Sequence, residues 1–132
     1  MNRCVLAAAP ALVAATVALA ALPATAQAPR NFPANALRGE LLIEQPPAVQ
    51  LNGQPARLSP GSRIRGENNL LAMSGALVGQ RLIVHYTLDD YGLVHDIWVL
   101  TAAERARRPW PTRPEQLQSW RFDPVAQTWS TK

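Results

Sequence analysis

Residues 81 to 100 read RLIVHYTLDDYGLVHDIWVL. Two runs rich in β-branched and aromatic residues flank Asp89-Asp90-Tyr91-Gly92, a cluster of turn formers. Such runs on either side of turn residues specify a β-hairpin. Side chains in a strand alternate between faces. Leu82, Val84, Tyr86 and Leu88 therefore share one face, and Arg81, Ile83, His85 and Thr87 share the other, wetter one. On the return, Leu93, His95, Ile97 and Val99 alternate with Val94, Asp96, Trp98 and Leu100. A turn centred on Asp90-Tyr91 sets Val84 opposite Ile97, Tyr86 opposite His95 and His85 opposite Asp96. That register joins the two apolar sets on one core face. A slip of one residue would undo it.

The stretch before the hairpin repeats the same grammar. ELLIE, Glu40 to Glu44, reads as a strand stopped by Pro46-Pro47. Ala48 to Leu51 and Gln54 to Leu58 flank Asn52-Gly53, whose residues both accept positive φ and favour a tight hairpin turn. Ser59-Pro60-Gly61 is expected to turn before a short strand at Arg63 to Arg65, and Gly66 to Asn69 to turn again. Leu70 to Gly79 fits a buried strand or a helical turn equally, because a short apolar run carries no decisive period. About six short strands with closely spaced turns predict a mainly β fold, a small antiparallel barrel or sandwich. Too few helices are present to cover a parallel sheet.

The N-terminus reads MNRCVLAAAPALVAATVALAALPATAQAPR. One positive charge, an uncharged Ala/Leu/Val run and Ala24-Thr25-Ala26 have the layout of a secretory signal peptide. Cleavage is expected after Ala26, and Pro10, Pro23 and the many alanines make an uncleaved span a poor alternative. The domains expected are then a signal over 1–26, a flexible leader over 27–36, a β domain over 37–100, and a short helix and tail over 101–132. Cys4, the one cysteine, lies inside the signal and precedes the apolar run, so it fits no lipid attachment site. The mature chain has no thiol for disulfides, nucleophilic attack or metal binding. Its location is expected to be periplasmic. Removing Arg3 takes the formal net charge from +4 to +3. That mild excess suits an anionic envelope surface, and export argues against nucleic acid.

His85 and His95 are the only histidines. In the expected register they point to opposite sides of the sheet, and His85 beside Asp96 is an ordinary cross-strand pair. The chemical alternative is a metal site at His85, His95 and Asp96, which needs three or four converging ligands. A hydrolase using His85 and Asp96 needs a nucleophile as well, and no serine sits in a nucleophile-elbow pattern. No phosphate loop or dinucleotide fingerprint occurs. No catalytic residue, cofactor or resident metal is assigned.

Thr101-Ala-Ala-Glu104 matches a capping box and predicts a short helix over Ala102 to Arg108, ended by Pro109. A further helical turn is expected over Pro114 to Trp120, with Pro near its start. The tail interleaves arginine with tryptophan, the residues that dominate binding hot spots. Trp98, Arg108, Trp110, Arg113, Trp120 and Arg121 are the candidate partner-binding set. The structural alternative is that the tryptophans staple the tail onto the β domain.

The signal, the LNGQPARLSPGSRIRG run and the GLVHDIWVLT strand resemble small exported β-barrel-like proteins of Gram-negative bacteria. The resemblance spans Leu37 to Thr101. It implies a β-barrel-like fold and a periplasmic location, and brings no activity with it. The expectation is a non-catalytic periplasmic β domain that binds a protein or an anionic envelope polymer. Metal binding through His85 and His95, and a small envelope hydrolase, are the alternatives.

Overall fold

The computed structural model describes residues 28–131. The expected signal segment and Cys4 lie outside the described residues. No described helix is long and apolar enough to cross a membrane.

The chain is mainly β. Strands β1 (Leu37–Gln45), β2 (Ala48–Leu51), β3 (Gln54–Arg65) and β4 (Leu71–Ala72) precede a single 3-10 turn at Ser74–Leu77. Then come β5 (Arg81–Leu88), β6 (Val94–Val99), helices α1 (Ala102–Arg105) and α2 (Pro114–Ser119), and the small hairpin β7 (Arg121–Asp123) and β8 (Thr128–Ser130). The main sheet has six strands in the order β2-β1-β5-β6-β3-β4, and β2 also pairs with β3. Pairing therefore runs round a ring of five strands, with β4 attached outside it. All contacts are antiparallel except β3 with β6, which run parallel. The chain leaves β3, crosses over through residues 66–80, and adds β5 beside β1 before returning, as a Greek key does.

Local chemistry explains the turns. Asn52 and Gly53 hold φ of 55° and 77°, the two left-handed positions of a tight hairpin turn. Asn52 also carries the β1 ladder onward, its Oδ1 accepting from the Glu40 N–H at 2.9 Å. β3 is one strand rather than the two expected. Pro60 and Gly61 fall where its pairing with β6 jumps from Leu58–Val94 to Arg63–Asp96. A proline costs no ladder bond where the ladder is already interrupted. Leu70 to Gly79 resolves into a two-residue strand and the 3-10 turn.

The β5–β6 hairpin keeps the expected faces along β5 and from Ile97 to Val99, but not the expected register, and Val94, expected on the outer face with Trp98, is buried in the core. Val84 opposes Val99, His85 opposes Trp98 and Tyr86 opposes Ile97, two residues out from the symmetric pairing. Two local features cause the shift. Asp89 closes the loop with Leu93 instead of the turn being symmetric about Asp90-Tyr91: its N–H donates to the Leu93 carbonyl at 2.9 Å. Gly92 takes φ of 77° in the resulting three-residue loop. A bulge in β6 around His95 and Asp96 adds the second residue. Beyond the bulge the shift of two restores the expected faces, whereas before it the shift of one turns Val94 onto the core face.

The core inside the ring includes Leu41, Ile43, Val84 and Ile97, all essentially fully buried. Each contributes roughly 1.5–3 kcal/mol relative to exposure. A second core lies against the outer face of β5 and β6. Phe32, Ala36, Leu100, Trp110 and Trp129 form its buried centre, with Ile83, Trp98, Leu117, Trp120 and Phe122 around it. The face expected to be wet is thus covered by an aromatic layer drawn from both flanking segments.

Candidate functional site: a buried histidine and an arginine-lined cleft

The segment before β1, expected to be a flexible leader, is packed instead. Phe32 and Ala36 are buried in the second core. The Phe32 N–H donates to Gln127 Oε1 at 2.8 Å, and the Trp110 Nε1–H to the Ala36 carbonyl at 3.0 Å. Side-chain and backbone bonds together tie residues 32–36 to the tail.

His85 sits at the centre of this layer, 1% exposed. Its ring stacks on Trp110 with centroids 4.1 Å apart, and meets Phe32 edge-on at 4.4 Å. Arg38 Nε donates to His85 Nε2 at 3.2 Å. Nε2 must then hold its lone pair toward Arg38, which puts the proton on Nδ1. Nδ1 is buried with no partner among the described residues. Burial lowers the His85 pKa to about 2, with the positive charges of Arg38, Arg30 and Arg107 adding to the effect. His85 is a neutral, structural imidazole. The expected pairing with Asp96 is absent: His85 opposes Trp98, and Asp96 lies beside Arg63 of β3. Nε2 faces Arg38 and Nδ1 has no partner among the described residues, so no carboxylate orients His85 as a general base. No group of three His, Cys, Asp or Glu that could hold a metal occurs among the described residues.

Two arginines organise the surroundings. Arg38 closes the C-terminal end of α1, donating to the carbonyls of Glu104 and Arg107 at 2.8 Å each and of Arg105 at 3.2 Å. The last carbonyls of so short a helix are otherwise left largely unpaired, although that of Glu104 also accepts from the Arg107 N–H at 3.2 Å. Burial lowers the Arg38 pKa to about 10, helped by Arg108 and opposed by Glu104, so the guanidinium stays charged at neutral pH. Arg30 spans the other end. It donates to Glu104 Oε2 at 2.9 Å, the Gly66 carbonyl at 2.9 Å and the Val99 carbonyl at 2.7 Å. Glu104 also completes the capping box, receiving the Thr101 N–H at 2.9 Å. Burial pushes the Glu104 carboxyl up, but the hydrogen bonds from Arg30 and Thr101 outweigh it and hold the pKa below its usual value.

Beside this buried pair opens a cleft of about 1030 Å³. Its walls are the packed segment at residues 28–31, the turn at residues 67–69, Trp98 of β6 and the first turn of α1. Arg30, Arg65 and Arg107 face it, with Glu67 and Glu104. Arg30 is committed to Glu104, and Arg105 lies 3.6 Å from Glu67. Arg65 and Arg107 have no ion-pair partner among the described residues.

The candidate partner-binding residues separate into three groups. Trp98 is half-buried and lines the cleft. Arg108, Arg113 and Arg121 are exposed, and Trp120 is half-buried against the second core. Trp110 is 5% exposed and stacked on His85, so it is no contact surface. A flat aromatic ring buried between a histidine and an arginine (Arg38 lies 5.6 Å from its centroid) does the work of a core residue. Arg30, Arg65 and Arg107 were not legible as a set. They come from three segments distant in sequence, and no local pattern links them. Comparison with protein-family models, with curated proteins and with solved structures gave no match.

Proposed function

We propose that this chain is an exported, non-catalytic binding domain of the periplasm, which holds an envelope partner in the cleft beside Trp98. The observation that carries the reading is the conjunction of an open cleft, an aromatic wall and two uncommitted arginines. Binding sites are concave, with an apolar wall and a few placed polar groups. Arginine and tryptophan are the residues that concentrate binding energy. The signal-like N-terminus supports export, and the mild positive charge suits an anionic envelope. The buried, proton-poor His85 supports a scaffold rather than a catalyst.

The test is capture from envelope extract by the wild-type protein and by point variants, with circular dichroism checking that each is folded. Arg65→Gln with Arg107→Gln should abolish specific capture. Arg113→Gln with Arg121→Gln, on the exposed tail, should retain it. The reverse pattern would move the binding surface from the cleft to the tail. N-terminal sequencing of the protein recovered from periplasm should begin at Gln27, and recovery only from cytoplasm would remove the export half of the reading.

A further inference from the structure

The lining of the cleft is selective about chemistry. Trp98 offers an aromatic wall. Arg65 and Arg107 are planar forks suited to bidentate contact with a carboxylate or phosphate. Three asparagines, Asn31, Asn68 and Asn69, complete the lining. A side-chain amide both donates and accepts, as a hydroxyl does, and so matches a ligand rich in hydroxyls. Asn68 spends its Oδ1 on the Leu70 N–H at 3.0 Å, which fixes the side chain and leaves its NH₂ available. Asn69 is held at φ of 65°, closing the turn that carries both amides.

Other ligands fit less well. An extended peptide binds by adding to a free sheet edge, whereas these walls are a turn, a coil segment and a helix start. A purely apolar molecule would leave the arginines and asparagines desolvated without partners. A bare inorganic anion would use the arginines but not Trp98 or the amides.

We propose that the cleft binds an anionic saccharide: a sugar ring lies on Trp98, its hydroxyls meet Asn31, Asn68 and Asn69, and its carboxylate or phosphate bridges Arg65 and Arg107. This rests on the binding role argued above and names its ligand class. The arrangement predicts salt-sensitive binding, since two charge contacts at an open site are screened.

Isothermal titration of the purified protein tests it with four probes: a galacturonate tetramer, glucose 1-phosphate, a neutral maltotetraose and inorganic phosphate. At least one of the first two should bind, and which one identifies carboxylate or phosphate as the anion. The neutral tetramer and inorganic phosphate should bind at least about tenfold more weakly, a difference of about 1.4 kcal/mol. Arg65→Gln and Arg107→Gln should each weaken binding about tenfold. Trp98→Phe, which keeps an aromatic face within the second core, should retain most of it, and Trp98→Ala should not. Equal binding of the neutral tetramer, equal binding of inorganic phosphate, or indifference to both arginine variants overturns the proposal. If no saccharide binds while envelope capture still requires Arg65 and Arg107, the ligand class is wrong and the binding role stands. If capture is also indifferent to them, both fall.

Discussion

Lowering the pH from 7 to 5 forces a proton on His85 that the folded protein cannot accept. In the fold its pKa is held near 2 by burial and by Arg38, Arg30 and Arg107. In the unfolded chain a histidine titrates near 6.5. Below pH 6.5 the unfolded state therefore binds one more proton than the folded state, and stability falls as pH falls. At pH 5 the unfolded chain gains about 1.5 units of protonation free energy at 1.36 kcal/mol per unit, or about 2 kcal/mol. The folded value hardly enters, because any pKa well below 5 leaves His85 neutral there. The loss is a sizeable fraction of a small domain's stability of about 5–15 kcal/mol. Urea denaturation at pH 7 and pH 5 measures it, with His85→Gln as the reference. Glutamine keeps an acceptor for Arg38 and cannot titrate. The wild type should lose about 2 kcal/mol more than His85→Gln between the two pH values. His95 and the carboxylates are common to both proteins, so their contribution cancels in the comparison. An equal loss in both would refute the neutral, charge-surrounded histidine described here.

Three further outcomes follow from the packing. A methyl group on Gly39 would lie 2.9 Å from Asn52 Oδ1 and 3.0 Å from the Tyr86 ring, so Gly39→Ala should cost about 1–3 kcal/mol in thermal or urea denaturation. Arg30→Ala leaves the buried Glu104 carboxylate without its cation and should destabilise by about 3 kcal/mol at pH 7, with a smaller deficit at pH 4 where Glu104 can protonate. Trp110→Ala removes the ring stacked on His85 and should cost about 3–5 kcal/mol; limited proteolysis should then cut first in residues 106–131, while cleavage inside the β5–β6 hairpin would contradict the separation into two cores.

What could be read in the chain was whatever depends on neighbours in sequence. Asn52-Gly53 makes its turn, and Thr101 with Glu104 makes its capping box, because the partners are two or three residues apart. The faces of β5, and of β6 from Ile97 to Val99, were legible for the same reason, since alternation is local, but the bulge turned Val94 inward against the pattern. The pairing between them was not, because Gly92 and the β6 bulge each add a residue that polarity does not reveal. The second core was hidden more deeply. Phe32, Trp110 and Trp129 show no periodicity, and their contact is a meeting of distant segments. His85 looked solvent-facing because its strand neighbours Arg81 and Thr87 are polar, and nothing nearby announces the layer that covers it. Arg30, Arg65 and Arg107 converge by the same long-range closure, so the cleft had no sequence signature.

The second core also sets a timetable. Residues 37–99 contain every strand of the five-membered ring, so that unit can close as soon as Val99 is available. The aromatic layer cannot. It needs Phe32 beside Trp129, and the bond from Phe32 to Gln127 joins positions 95 residues apart. A chain delivered N-terminus first must therefore hold Phe32 and the outer face of β5 uncovered until almost all of it has appeared. During that interval the ring is complete, but the outer face of β5 and β6 is bare and open to association with other chains. Arg30, docked across the ends of β6 and α1, has all its partners once Glu104 has appeared, so the cleft it borders can form before the aromatic layer behind it is closed.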